Sequence, residues 1–223
     1  YRTSENKRFK VDITRQQFYV PNVFSELQDG NIGYVQYIGF QDRGAEKLEE
    51  EIEELMEAGA QGIIIDLRNN LGGVLDDAVA VCDLFMDDGI IVMVKGRSGE
   101  NERTSTFNAK EGGLVDIPLV VLVNEFSASA SELVAGCLQE NGRAVLVGNT
   151  TFGKGTVQTI QELSNGAGLK LTTANYLLPS GKSINEVGVE PDLAVELDLE
   201  AEEDTQLNQA KETLISMIGD QDG

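Results

Sequence analysis

The sequence predicts an α/β protein with a largely parallel sheet, crossover helices and an appended β-hairpin. Three continuous apolar runs, residues 63–65, 119–123 and 144–147, are typical of strands that are covered on both faces. Segments with helical spacing of apolar residues separate these runs, and this alternation of strand and helix predicts crossover connections between parallel strands. With 223 residues, of which 41% are hydrophobic, the chain is long and apolar enough to bury one large core.

The first sixty residues predict extended segments and then an acidic helix. Residues 7–20 alternate in polarity and predict a strand or two, interrupted at Pro21, where we expect a domain joint. A turn signal at residues 29–31 precedes a predicted strand over residues 32–40. Residues 44–59 keep apolar residues at helical spacing beneath a dense acidic face, which predicts a solvated amphipathic helix. Its apolar stripe consists of Leu48, Ile52, Leu55 and Met56.

Two further helices are predicted between the three apolar runs, and a hairpin follows them. The stripe of the first helix consists of Leu75, Ala78, Val79, Cys82, Phe85 and Met86. The stripe of the second helix consists of Ala130, Leu133, Val134, Cys137 and Leu138. Residues 156–178 contain two strand patterns separated by a turn at residues 164–166, which predicts the hairpin. A last helix is predicted over residues 199–219, so the expected divisions are an N-terminal strand segment (1–21), a core (22–198) and a C-terminal helix (199–223).

The composition excludes several classes of function. A net charge of −21 argues against nucleic acid and anionic membranes as partners, and no run of 18 apolar residues marks a membrane segment. The chain opens without a methionine or a signal-like segment, so we expect an excised soluble piece. Cys82 and Cys137 fall on predicted apolar helix faces, where we expect buried, unreactive thiols rather than a disulfide framework.

The absence of histidine is the most informative feature of the composition. It excludes a Ser/His/Asp triad, a Cys/His pair and any histidine-ligated metal site within this chain. We expect neither a metal nor a cofactor.

The stretch SASASE, residues 127–132, admits two interpretations. Ser129 precedes the first apolar residue of a predicted helix and Glu132 follows three positions later, which is the S-x-x-E capping box. The same position, between a buried strand and a helix, would set a serine nucleophile beside free backbone amides. The amides of Gly73 and Ala130 are the candidate oxyanion donors, provided that their two strand-to-helix junctions are neighbours. Spacing alone leaves both interpretations open.

Lys154 is the candidate base for such a serine, because no histidine is available. It lies between Gly153 and Gly155 in a predicted loop, 25 residues beyond Ser129. A lysine accepts a proton only when its amine is neutral, so we expect apolar surroundings that favour the uncharged form. The alternative is an exposed loop lysine or an anion contact, although the GxxxxGK[ST] pattern of a P-loop is absent.

Four segments together resemble one protein family. In this order, IDLRNNLGG, PLVVLVNEFSASASE, GNTTFGKGTVQT and LTTANYLLPSG resemble the carboxyl-terminal processing peptidases, the tail-specific serine proteases with a Ser/Lys dyad. The resemblance covers about residues 22–197. It implies a core related to the crotonase and Clp protease spiral fold, and endopeptidase cleavage of protein or peptide substrates recognised by their C-terminal tails. It also implies an extracytoplasmic location.

The resemblance implies a role for each candidate residue. Ser129 takes the position of the nucleophile and Lys154 that of the general base. Gln158 corresponds to the residue that orients the lysine in many members of the family. Gly73 and Ala130 correspond to the backbone donors of the oxyanion hole.

Two features depart from the family pattern, and two alternatives stay open. Members carry a PDZ domain that captures the substrate tail, whereas residues 7–18 resemble only its closing strand, so the expected PDZ partner lies outside this chain. Asn175 stands where many members have arginine. The alternatives are an acyl-CoA enzyme of the crotonase type and a catalytically silent binding domain of the same fold.

Overall fold

Ten strands and four α-helices follow one another along the described part of the chain. The computed structural model describes residues 1–12, 14–15, 20–98, 101–110, 113–198 and 200–221. The strands are β1 (Val23–Gln28), β2 (Ile32–Tyr37), β3 (Gly62–Asp66), β4 (Ile90–Ser98), β5 (Asn101–Asn108), β6 (Leu119–Val123), β7 (Val145–Gly148), β8 (Thr156–Glu162), β9 (Gly168–Leu177) and β10 (Leu193–Ala194). The helices are α1 (Gly44–Glu57), α2 (Leu75–Leu84), α3 (Ala130–Glu140) and α4 (Thr205–Gln221).

The first sheet contains six strands in the order β1-β2-β3-β6-β7-β10. Strand β1 is antiparallel to β2 and the other neighbours are parallel, which confirms the predicted α/β class with a largely parallel sheet. Ile63 and Ile65 belong to the larger core with α1, α2 and α3, whereas Ile64 packs with Ala210 and Leu214 of α4. Because helices cover both faces, the central strands are apolar at successive positions.

The second sheet is antiparallel, with the order β5-β4-β9-β8. The predicted hairpin is confirmed as β8 and β9, and β4 joins it by pairing with β9. No sequence pattern predicts β1, β4, β5 or β10. A close contact attaches this sheet to α3, because a Cβ atom at Gly136 would come within 2.6 Å of Leu178 Cδ2. The absence of a side chain at Gly136 therefore lets the end of the hairpin pack directly on α3.

Several element boundaries differ from the sequence predictions. The described residues among 7–20 form no strand, and the rest of this prediction, residues 13 and 16–19, lies outside the described part. A 3-10 helix (Thr3–Glu5) and an isolated bridge between Arg2 and Lys7 precede this segment. Met56 is 43% exposed because it lies at the edge of the α1 stripe. Phe85 and Met86 are buried but follow the end of α2. The predicted terminal helix begins only at Thr205.

Polar contacts hold α4 on the sheet in addition to its apolar face. Arg68 donates to Asp66 at 2.6 Å and to Asp204 at 2.8 Å, and Tyr34 also donates to Asp66 at 2.7 Å. Burial lowers the pKa of Arg68, but the hydrogen bonds and the charge of Asp66 outweigh it and raise that pKa above its ordinary value. Within the described residues, no helix has both the length and the apolar character required to cross a membrane.

Candidate active site

The two strand-to-helix junctions that the sequence analysis singled out are neighbours. Strands β3 and β6, which lead into them, pair in parallel. The carbonyl of Asn70 accepts hydrogen bonds from the amide of Ala128 at 3.0 Å and from the hydroxyl of Ser131 at 2.8 Å. A Cβ atom at Gly72 would lie 2.9 Å from the amide nitrogen of Ala130. The condition for a shared oxyanion site is therefore met.

The three serines of SASASE have different surroundings. The Ser127 hydroxyl is buried, donates to the Leu67 carbonyl at 2.8 Å and accepts from the Asn124 amide at 3.0 Å. Ser131 is also fully buried. Ser129 alone is partly exposed, and its backbone has φ 59° and ψ −112°. Such a backbone costs a non-glycine residue roughly 1–3 kcal/mol, and a strained strand-to-helix turn is the arrangement that presents a catalytic serine in α/β hydrolases.

The amides of Gly73 and Ala130 have no hydrogen-bond acceptor among the described residues. Ala130 is the first residue of α3, so its N–H has no partner within the helix. Gly73 has φ 154°, and a Cβ atom there would overlap the Phe40 carbonyl oxygen. The Phe40 carbonyl also accepts from the Val74 amide at 3.1 Å, which fixes the backbone on the far side of Gly73. Both amides are available to a developing negative charge.

Glu132 links the serine turn to the loop that carries Lys154. Its side chain is fully buried, and its two oxygens together accept four hydrogen bonds. Oε2 accepts from the amides of Ser129 at 2.7 Å and Lys154 at 2.8 Å. Oε1 accepts from the amide of Gly153 at 2.6 Å and from the hydroxyl of Thr151 at 2.7 Å. The glutamate half of the predicted capping box is thus present, and the same carboxylate also fixes the position of the lysine backbone.

Ser129 and Lys154 line one cleft with a volume of about 390 Å³. Gly73 and Gln158 line it as well, so the cleft contains four of the five predicted site residues, while the amide of the fifth, Ala130, adjoins it at Gly72. Gln158 lies on β8 and is exposed. The remaining lining residues are Leu71, Gly72, Thr156, Ile160, Lys170 and Tyr176.

The Lys154 amine forms no ion pair within the described residues. No hydrogen bond among them joins this amine to the Ser129 hydroxyl or to the Gln158 amide. Catalytic hydrogen bonds are commonly long in the absence of substrate and shorten when it binds, so the missing bonds are compatible with a shared role of the three side chains. Burial raises the pKa of Tyr176 above its ordinary value, which keeps the phenol in the cleft uncharged at neutral pH.

Two residues hold the site together in ways that the sequence does not predict. Asn70 is fully buried, accepts from the Gly72 amide at 2.9 Å and donates to the Tyr37 carbonyl at 2.6 Å. Glu132 was expected only to cap α3, because its contacts with residues 151–154 depend on tertiary structure. Asn70 stands two residues before Gly72, and this position is the one sequence feature that points to it. Because asparagine is common near turns, the position alone does not indicate a site residue.

The position that departs from the family pattern lies outside the cleft. Asn175 does not line this cleft, and instead lines a separate concavity of about 680 Å³ that includes Lys95 and Glu102. Among the described residues, no group of three or more acidic, cysteine or histidine side chains is arranged to hold a metal ion.

Comparison with known proteins agrees with the resemblance seen in the sequence. Residues 31–195 match the profile described as Peptidase family S41. The carboxy-terminal processing protease CtpA of Bacillus subtilis is 40% identical over 188 residues, which are 84% of this chain and 40% of that protein. The carboxy-terminal-processing protease of Bartonella bacilliformis is 44% identical over 196 residues, which are 86% of this chain and 44% of that protein.

A solved structure is similar as well. The photosystem II D1 C-terminal processing protease superimposes with a TM-score of 0.71 at 34% identity, over 82% of this chain and 50% of that chain. The chain thus spans less than half the length of the two relatives compared by sequence. The family match covers most of the residues between the first and last strands of the parallel sheet. The chain therefore belongs to peptidase family S41.

Proposed function

We propose that this chain forms the proteolytic part of a C-terminal processing serine endopeptidase, with Ser129 as nucleophile and Lys154 as general base. The observation that carries this proposal is the shared attachment of both residues to Glu132, which accepts from their two backbone amides with one oxygen. A single buried carboxylate therefore fixes the relative position of the serine turn and the lysine loop. No histidine exists that could replace the lysine.

The proposed reaction begins with attack of the Ser129 hydroxyl oxygen on a peptide carbonyl carbon, while the hydroxyl proton passes to the neutral Lys154 amine. The carbonyl oxygen becomes negatively charged and accepts hydrogen bonds from the amides of Gly73 and Ala130. Protonated Lys154 then gives its proton to the leaving amine, which leaves an acyl-enzyme on Ser129. A water molecule that gives its proton to the same lysine hydrolyses this ester and restores the hydroxyl.

Gln158 is proposed to orient the Lys154 amine. It lines the cleft from β8, on the strand that begins two residues after the lysine, and its amide oxygen can accept a hydrogen bond from an amine. An orienting acceptor would direct the nitrogen lone pair toward the serine.

Two further parts of the proposal rest on the family resemblance alone. They are recognition of substrate tails by a PDZ domain outside this chain, and an extracytoplasmic location. The acyl-CoA alternative has lost its support, because the matched family is one of peptidases.

The direct test is cleavage of a fluorogenic or unfolded protein substrate by the native chain and by two variants, Ser129→Ala and Lys154→Ala. We expect each variant to lose about 10⁴-fold or more in kcat/KM, because removing one member of a catalytic unit costs nearly as much activity as removing all of them. Ser164→Ala and Lys182→Ala are matched controls, since both side chains are exposed and lie outside the cleft. Activity retained in either active-site variant would exclude the dyad, and an inactive native chain would favour the silent binding domain.

A further inference from the structure

The proposed catalytic cleft contains a free cationic side chain, that of Lys170, although the chain is strongly acidic. The protein has 38 acidic and 17 basic residues, so carboxylates outnumber cations more than twofold. The residues that line the cleft nevertheless include no aspartate or glutamate, and beside the proposed neutral base Lys154 they include a second lysine, Lys170. The cleft therefore differs in charge from the average surface of the molecule, and its field favours a negatively charged ligand.

Lys170 lies on the wall of the cleft formed by the β8 and β9 hairpin. It is paired with Ile160 across the two strands, and both residues line the cleft. Directly opposed residues of an antiparallel pair point to the same face of the sheet, so Gln158, Ile160 and Lys170 share one face of the hairpin. Thr156 also lines the cleft, on the other side of a register irregularity between Val157 and Gln158.

Lys170 has no ionic partner among the described residues. Its side chain is exposed, and it takes part in none of the ion pairs found there. The nearest acidic residue on the same face of the hairpin is Glu162, which is paired with Gly168 and lies diagonal to Lys170 without forming an ion pair with it. The proposed mechanism gives Lys154 a role and leaves Lys170 without one.

We propose that Lys170 binds a carboxylate of the peptide substrate, so that the cleft selects substrates with an acidic group a few residues from the cleaved bond. This inference rests on the proposed function, since it assigns a specificity residue to that same site. Thr156 and Ile160 are separated by four residues of β8, or about 14 Å at ~3.4 Å per residue. An extended substrate covers this length of the cleft wall with about four residues, so the peptides should place the carboxylate at each position within about four residues of the cleaved bond.

The preference is expected to be moderate and sensitive to salt. Exposed charge pairs are weak, so we expect about a two- to fivefold difference in kcat/KM between otherwise identical acidic and neutral peptides. The net charge of −21 opposes the approach of acidic peptides, so removing Lys170 should turn this preference into a disadvantage. Both effects should shrink at high ionic strength, where charges more than a few ångströms apart are screened.

The carboxylate could belong to an acidic side chain or to the C-terminus of the peptide, and the experiment separates these sources. One series of quenched fluorescent peptides carries a single Asp at successive positions and an amidated C-terminus. The reference peptide has Asn and an amide, and a third peptide has Asn and a free carboxylate. A gain with Asp supports side-chain recognition, and a gain only with the free carboxylate supports recognition of the chain end.

These peptides are tested on the native chain, on Lys170→Glu and on Lys182→Glu. Lys182 is exposed and does not line the cleft, so its variant has the same net charge without altering the site. We expect the acidic preference in the native chain and in Lys182→Glu, and its loss or reversal in Lys170→Glu. Equal preferences in the two variants, or no preference in the native chain, would overturn the inference.

Peptide binding to the Ser129→Ala chain separates failure of this inference from failure of the proposed function. Fluorescence anisotropy compares its affinity for the Asp, Asn and free-carboxylate peptides, with and without the added Lys170→Glu change. Cleavage without any acidic preference would refute only the role of Lys170. Acidic preference in binding that depends on Lys170, without cleavage by the native chain, would support the subsite and refute the protease mechanism.

Discussion

Replacing Glu132 with glutamine tests the link between the serine turn and the lysine loop. The change keeps the size of the side chain but converts one acceptor oxygen into an NH₂ group. The least costly orientation keeps the amide oxygen toward the amides of Ser129 and Lys154 and turns the NH₂ toward Thr151 and Gly153. The Thr151 hydroxyl can rotate and accept, but the Gly153 amide cannot.

The expected cost follows from these contacts. One hydrogen bond to a charged group is lost, at about 1.5–3 kcal/mol, and the remaining bonds fall from charge-assisted to neutral strength. We therefore expect a loss of about 3–5 kcal/mol in the free energy of unfolding, out of a typical total of ~5–15 kcal/mol. If the Lys154 loop shifts by about 1 Å, kcat/KM should fall by roughly 10²-fold.

The assays are urea denaturation and peptide cleavage, performed at a temperature where the variant is folded. Glu125→Gln is the matched control, because Glu125 is exposed in the same turn and loses the same charge. If Glu132→Gln matches the native chain in its denaturation midpoint and within twofold in kcat/KM, the buried carboxylate does not position the site, and the reasoning fails.

Two further predictions concern backbone space and buried thiols. Gly73→Ala should reduce kcat/KM by about 10²–10³-fold, because its Cβ overlaps the Phe40 carbonyl oxygen and displaces an oxyanion donor. Gly219→Ala, with no atom within 4 Å of its added Cβ, is the control, and equal activity of the two variants would contradict the assignment. Burial raises the pKa of the Cys82 thiol, and Cys137 is also fully buried, so neither should react with an aromatic disulfide reagent in the native state. Absorbance should report both thiols only after denaturation, and rapid native labelling would contradict the packing.

The parallel sheet could be predicted because its residues have periodic environments. Ile63, Ile64 and Ile65 face two different cores, so every position is apolar and the run is visible in the sequence. Strand β1 has no regular alternation of buried and exposed residues, and β5 is largely polar, so neither has a clear period. The alternation in residues 7–12 falls on exposed residues that form no core and no extended strand.

The candidate site could be predicted in part because its local geometry depends on short-range rules. The S-x-x-E pattern identified the start of α3, and glycine at residues 72–73 indicated close backbone contact. The contacts of Glu132 with the loop before β8 could not be predicted, because they depend on how the hairpin packs on α3. The same packing brings Lys170 into the cleft, although no spacing rule connects it with Ser129.

Covalent labelling with a fluorophosphonate tests the central claim most directly, because its phosphorus atom is attacked by an activated serine oxygen. Peptide mapping by mass spectrometry identifies the modified residue, and the labelling rate is compared between the native chain, Lys154→Ala and Lys182→Ala. We predict one adduct, on Ser129, which forms about 10²–10⁴-fold more slowly in Lys154→Ala and at the native rate in Lys182→Ala. Labelling of a different serine, or an unchanged rate in Lys154→Ala, would contradict the account.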